Sequence, residues 1–183
     1  MKAPNRVRLT GGRFGGRYLT VPGTARPTTG RVREALFSIW ADALVDARLL
    51  ELFAGSGVVA CEALGRGARS AVLVDSSPVA LRQLASNVAT LGLESAVTLA
   101  RLRVPQDLDR LTGPPFDLVF ADPPYALGQL GPLLAAVAPW LAESGELVLE
   151  YGVRTVPPEA SGGLRLFDRR IYGESALARY RRG

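Results

Sequence analysis

Between residues 48 and 150 the chain changes its hydrophobic period repeatedly, and this rhythm restricts the possible folds more than any other feature. Short apolar runs of strand length occupy Arg48–Phe53, Ser70–Asp75, Ala96–Ala100, Phe116–Ala121 and Gly145–Glu150. Stretches of helical periodicity lie between them, at Val58–Arg66, Pro78–Gly92, Gln106–Leu111 and Gly128–Leu141. Strands alternating with helices predict βαβ units around a parallel sheet, an α/β architecture. The rhythm stops after the fifth run. Leu164–Tyr172 and Ser175–Arg182 read as an antiparallel hairpin turning at Gly173-Glu174. A second hairpin is predicted at the front, where Arg6–Thr10 and Arg17–Val21 flank Gly11-Gly12-Arg13-Phe14-Gly15-Gly16. Pro22–Pro27 is a linker, and Thr28 or Thr29 can cap a helix over Gly30–Leu44. Residues 1–27 are thus expected to form a basic hairpin and linker, and residues 28–183 the main domain.

Composition removes several kinds of chemistry. The 183 residues are 48% hydrophobic and 21% charged, as in a folded globular domain. There is no histidine, which excludes Ser-His-Asp and Cys-His catalysis and histidine-based metal sites. The single cysteine, Cys61, cannot form an internal disulfide or a zinc cluster. Residues 1–6 lack the apolar stretch of a signal peptide, and no apolar run approaches the roughly 18 residues that span a bilayer. A cytoplasmic protein is expected, and a monomer, since no heptad pattern is present.

Charge is distributed unevenly. Residues 1–33 hold eight basic groups and no acid, residues 34–164 carry a net −7, and residues 165–183 a net +4. Twenty-one of the 22 basic residues are arginine, whose planar fork binds phosphate in bidentate fashion and stacks on bases. An acidic body with basic ends favours a nucleic-acid partner. Alternation puts Arg6 and Arg8 on one face of the first hairpin, with Arg13 and Arg17 close by as further phosphate contacts.

Two motifs carry the chemistry. Leu49-Leu50-Glu51-Leu52-Phe53-Ala54-Gly55-Ser56-Gly57 is a strand, a glycine-rich turn and a helix start, where the backbone can approach a ligand and helix amides are free. Glu51 precedes the turn and suits the cationic amino group of a methionyl moiety. Asp75 ends the next strand, 18 residues after Gly57, and suits a ribose diol. No dinucleotide fingerprint and no P-loop is present, so S-adenosylmethionine (AdoMet) is better supported than NAD or ATP. The second motif, Asp122-Pro123-Pro124-Tyr125, follows the apolar run Phe116–Ala121. An exocyclic base amine is a poor nucleophile because its lone pair is delocalised into the ring. A carboxylate oxygen and a backbone carbonyl can accept its two N–H bonds and localise that pair. Proline adds rigidity without a competing N–H, and an aromatic ring can stack on the base.

With these motifs in place, the chain resembles the RsmD family, the bacterial 16S rRNA (guanine-N2)-methyltransferases, over nearly its whole length. The resemblance is carried by Arg8-Leu9-Thr10-Gly11-Gly12, by Arg26-Pro27-Thr28-Thr29-Gly30-Arg31-Val32-Arg33-Glu34-Ala35-Leu36-Phe37, by the two motifs above and by the closing Tyr172-Gly173 hairpin. It implies a class I AdoMet-dependent methyltransferase fold: a Rossmann-like, mostly parallel seven-stranded sheet with an antiparallel last strand, preceded by the small hairpin. It implies a metal-free reaction with AdoMet as donor, S-adenosylhomocysteine as product, and a guanine N2 in 16S rRNA, within the 30S subunit or an assembly intermediate, as acceptor. Asp122, Pro123 and Tyr125 would be catalytic. Glu51, Phe53, Ala54, Gly55, Ser56, Gly57, Asp75, Ser76 and Asp122 would bind the cofactor. Arg6, Arg8, Arg13, Arg17, Arg26, Thr28, Thr29, Arg31 and Arg33 would contact RNA. Two departures stand out. Glu51 replaces the more common aspartate, and Leu99-Ala100-Arg101-Leu102-Arg103 lacks the acid or amide that often meets the adenine amine. Two other readings remain: a methyltransferase for another RNA or DNA base amine, and a non-catalytic ribosome-assembly factor that binds AdoMet and RNA.

Overall fold

The computed structural model describes residues 5–23, 28–124 and 130–183. Arg26 and Tyr125 of the expected site lie outside the described residues. The chain opens with a two-stranded antiparallel ribbon, β1 (Arg6–Arg8) and β2 (Tyr18–Thr20). Helix α1 (Gly30–Trp40) follows, then β3 (Arg48–Leu52), α2 (Val58–Gly65), β4 (Ser70–Asp75), α3 (Pro78–Leu91), β5 (Val97–Arg101), β6 (Phe116–Ala121), α4 (Leu130–Val137) and β7 (Leu141–Gly152). The end of the chain forms β8 (Ala160–Ser161), β9 (Leu164–Tyr172) and β10 (Ser175–Arg182). The large sheet has the order β5-β4-β3-β6-β7-β10-β9-β8. Strands β5 to β7 run parallel, and β10 enters antiparallel between β7 and β9.

The expected α/β class and the antiparallel last strand are both present. Two details differ. The two-residue β8 adds an eighth strand at the edge by pairing with β9, a contact too short to leave a sequence signal. Gln106–Leu111, expected to be a helix, contains only a 3-10 turn at Leu108–Arg110. Prolines at 105, 114 and 115 bound that stretch and leave too few residues for a stable helix.

Parallel strands are covered on both faces, so they carry near-continuous apolar sequence. In β3, Leu49, Leu50 and Leu52 are all fully buried. Helix α3 has clear end signals: the Ser77 hydroxyl accepts from the Ala80 amide (3.3 Å), Pro78 occupies the first turn, and Gly92 closes the helix in the left-handed region.

The N-terminal ribbon is docked on the main body. Val7, Leu9, Phe14, Leu19 and Val21 are buried in the same apolar cluster as α1, α2 and one face of the sheet. At about 2 kcal/mol per large side chain, this burial is worth on the order of 10 kcal/mol as an upper bound, too much for a dangling arm. The docking explains why every residue of α2 from Val58 to Leu64 is buried: the sheet covers one side and the ribbon the other. Gly12, at φ 68°, sits so close that a Cβ would lie 2.6 Å from the Gly65 carbonyl.

Candidate active site

The glycine turn, Asp75 and Asp122 lie at the carboxyl ends of β3, β4 and β6, which are neighbours in the sheet. The chain leaves β3 toward β4 and leaves β6 toward β7, in opposite directions along the sheet. That switch point opens the crevice in which α/β sheets bind ligands.

The turn is built around unusual backbone. Phe53 takes φ 57°, a left-handed conformation that a bulky residue adopts only where the surroundings demand it. Among the described residues, Gly55 (φ 53°) has only the Phe53 carbonyl within reach of a notional Cβ, at 3.9 Å, so its open side can face a ligand. Gly57 serves a different purpose. A Cβ there would meet Leu84 at 2.6 Å and Leu73 at 2.9 Å, so its small size lets α2 pack against α3 and the sheet. Ala54 is tied to β4 through its amide, which donates to the Val74 carbonyl (3.0 Å), and the buried Ser56 uses its carbonyl to hold Asn87.

Carboxylates hold this turn in place. Asp75 accepts from the Gly55 amide through Oδ2 (2.9 Å) and from the Ser77 amide through Oδ1 (2.9 Å). Ser76 is exposed beside it. Glu51 is only 3% exposed and accepts from the Ala60 amide (2.8 Å) in the first turn of α2. Burial pushes its carboxyl up to about 8, with the amides of Ala60 and Val59 opposing and the charges of Asp122 and Asp75 adding to the rise. Asp122 is likewise pushed up to about 8, by burial first and by the Glu150 charge second. Acidic groups therefore converge on the crevice. A positively charged ligand relieves that repulsion, and AdoMet, with its sulfonium and amino groups, is such a ligand. Gly55 supplies room for close approach, and Asp75 keeps free lone pairs for hydroxyls. The residues present fit the cofactor.

In the Asp122-Pro123-Pro124 segment, Pro123 is buried and Pro124 exposed. Arg6, Arg8, Arg13, Arg17 and Arg31 are all exposed. Arg13 lies over the Phe14 ring at 4.5 Å, and Arg17 donates to the Thr90 carbonyl at 2.8 Å. Arg6 and Arg8 border a cleft of about 340 Å³ between the ribbon and the start of α1, which Thr28 and Thr29 also line. Thr29 caps α1, its hydroxyl accepting from the Val32 amide at 3.3 Å.

The expectation that Arg33 contacts RNA is corrected. Its side chain is only 2% exposed and forms an ion pair with Glu62 at 3.4 Å. It also donates to the carbonyls of Thr28 and Arg8. Its neighbour Glu34 is not its partner, because α1 turns Arg33 inward and leaves Glu34 exposed. Glu62 further accepts from the Thr10 amide (3.0 Å), the Thr10 hydroxyl and Arg66 (2.8 Å). Burial raises the Glu62 carboxyl, but these donors and the Arg33 charge outweigh it and hold the group below its ordinary range.

Sequence reasoning missed two further residues. Asn87 accepts from the Thr20 amide (3.1 Å) and donates to the carbonyls of Thr20 and Ser56 (2.9 Å each), linking the ribbon to the glycine turn. Its signal was a polar residue on the apolar stripe Ala80, Leu84, Val88, Leu91 of α3. Glu150 lies near the end of β7 as a buried carboxylate, as Glu51 does near the end of β3. A charge closing an apolar strand was the clue in both cases.

Comparison with known proteins agrees with this fold. The family model described as Conserved hypothetical protein 95 matches residues 7–181. Ribosomal RNA small subunit methyltransferase D of Escherichia coli K12 is 35% identical, with 100% of this chain and 96% of that protein aligned. The solved structure of Escherichia coli yhhF superposes with a TM-score of 0.85 at 32% identity, covering 97% of this chain and 98% of that one. A hypothetical protein of Thermus thermophilus superposes with a TM-score of 0.80 at 35% identity, covering 97% and 99%.

Proposed function

The chain belongs to the RsmD family, the Conserved hypothetical protein 95 family, and on that premise we propose that it methylates the exocyclic N2 of a guanine in 16S ribosomal RNA. It is a methyltransferase of the small-subunit rRNA class. The observation that carries the finer reading is a half-buried carboxylate, Asp122, at the carboxyl end of β6 and beside a glycine turn that fits AdoMet. AdoMet, when bound, supplies a methyl group activated by its sulfonium. Phe53 to Gly57 and Asp75 would hold the cofactor, with Asp75 suited to accept from the ribose hydroxyls. Asp122 and the Pro123 carbonyl accept the two N–H bonds of the guanine amine and localise its lone pair. Tyr125 stacks on the flipped base. As the nitrogen gains positive charge, Asp122 stabilises it and then takes the proton. Its raised affinity for a proton suits that step. The substrate is the 30S particle or an assembly intermediate, and the protein acts as a monomer.

The deciding experiment incubates the purified protein with labelled AdoMet and three acceptors: 30S particles lacking the modification, naked 16S rRNA, and duplex DNA. Mass spectrometry should find N2-methylguanosine in the ribosomal material. Methyladenine in DNA, or cofactor binding without transfer, would overturn the reading.

Two further outcomes are expected. Asp75→Asn should raise the AdoMet Kd about ten- to hundredfold, the loss of one or two hydrogen bonds to a charged acceptor. Calorimetry measures it, and kcat at saturating AdoMet should change far less. Arg6→Gln and Arg8→Gln should each lower the slope of log K against log salt for RNA binding by about 0.7 to 0.9. An unchanged slope in both variants would remove the cleft between ribbon and α1 from the RNA path.

A further inference from the structure

Asp122 has a buried acidic neighbour. Strands β6 and β7 are parallel, with Phe120 opposite Val148 and Ala121 opposite Leu149. Phe120 and Val148 both point into the cluster on the α1–α2 side of the sheet. Side chains alternate along a strand, so Asp122 and Glu150, each two residues further on, emerge on that same face, from strands about 5 Å apart. Glu150 is only 6% exposed, and its Oε2 has no hydrogen-bond partner among the described residues. The hydroxyls of Thr28 and Ser175 donate toward its carboxyl, and the charge of Arg33 reaches it. Arg33 itself is held by Glu62, Thr28 and Arg8. An ionised, unpartnered carboxylate oxygen in such a place costs several kcal/mol unless a proton or a ligand satisfies it. Burial raises the proton affinity of Glu150 as it does that of Asp122.

Guanine fits this pair of carboxylates. Its Watson–Crick edge presents two adjacent donors, N1–H and the N2 amine, whereas adenine has a bare lone pair at N1. We propose that Glu150 is a specificity-determining residue of the acceptor site: its free Oε2 accepts the guanine N1–H while Asp122 accepts from N2. The inference rests on the methyl-transfer reading above and adds to it the group that chooses the base. A base with a lone pair at N1 faces a carboxylate lone pair there, which repels it. Thr28 and Ser175 orient the carboxyl, so the segment leading into α1 and the hairpin of β9 and β10 both shape the choice.

The test uses 30S particles reconstituted from 16S rRNA that carries, at the acceptor position, guanosine, 6-thioguanosine or 2-aminopurine riboside. All three keep the amine at C2. Thioguanosine keeps N1–H and weakens the acceptor at C6, while 2-aminopurine lacks N1–H. The wild-type protein should methylate thioguanosine within about tenfold of guanosine and reject 2-aminopurine by about a hundredfold or more in kcat/KM. In Glu150→Gln the side-chain amide can present either its oxygen or its NH2. Guanosine methylation should fall, and the preference over 2-aminopurine should shrink below about tenfold. A purely structural role for Glu150 would lower all three rates together. Equal wild-type rates on guanosine and 2-aminopurine, or an unchanged preference in Glu150→Gln, would overturn the inference and leave methyl transfer standing. No transfer to the guanosine particle would remove both. The wild-type comparison needs no variant, and AdoMet binding by Glu150→Gln reports whether that variant folds.

Discussion

Asp122→Asn should lower kcat by roughly 10³-fold, about 4 kcal/mol of transition-state stabilisation, while AdoMet binding stays within about threefold of wild type. The asparagine oxygen can still accept an N–H. It carries no charge to stabilise the developing cation at N2 and cannot take the proton that N2 must lose. The pH profile supplies a second readout. Burial and Glu150 raise Asp122 to about 8, so in the free protein the carboxylate form is the minor one at neutral pH. Accepting an N–H requires that form, so wild-type kcat/KM should rise with pH and level off above about 8. In Asp122→Asn the rise should vanish. A variant that instead lost AdoMet binding, with kcat intact at saturating cofactor, would make Asp122 a cofactor ligand and leave the acceptor amine without its base.

The second large effect concerns stability. Removing one partner of a buried ion pair costs about 3–5 kcal/mol, because the other charge stays buried without compensation. Glu62→Ala would strand Arg33 and unpair the Thr10 amide and hydroxyl, which among the described residues donate to Glu62 alone. In a chain of this length the melting temperature should drop by roughly 6–20 °C. The loss should centre on the ribbon, since Thr10 connects it to α2. Protease cleavage ahead of residue 28 should accelerate more than cleavage in the sheet, and RNA affinity should weaken with it. Glu62→Leu combined with Arg33→Met should recover much of the lost stability, since apolar groups of similar volume often replace a buried pair without loss. A Glu62→Ala protein melting within about 2 °C of wild type would mean that the pair and the ribbon contribute little to the fold.

Much of this protein could be read from its residues. The change of period between residues 48 and 150 identified the α/β class, because strands buried on both faces must be apolar throughout and the helices covering them need only one apolar stripe. Chemistry was legible wherever it depended on local backbone: the glycine turn, Asp75 at the end of β4 and the Asp-Pro-Pro loop each need particular residue types at fixed spacing. The role of Arg33 was not legible. Its neighbours in the sequence are Arg31 and Glu34, and nothing local distinguishes a phosphate contact from a buried partner of Glu62 on a different helix. The same holds for Asn87, whose partners Thr20 and Ser56 lie 67 and 31 residues away. Glu150 becomes informative only when β7 is placed beside β6, because its significance is the second carboxylate next to it. Local sequence thus sufficed for the fold class, the glycine turn and the carboxylates at the strand ends, all of which follow from short-range periodicity and backbone geometry. Tertiary structure alone decided which arginines face solvent, how the ribbon is fastened, and that Asp122 and Glu150 lie side by side at the ends of neighbouring strands. Those properties arise from desolvation and from pairing across long sequence separations, which no local pattern records.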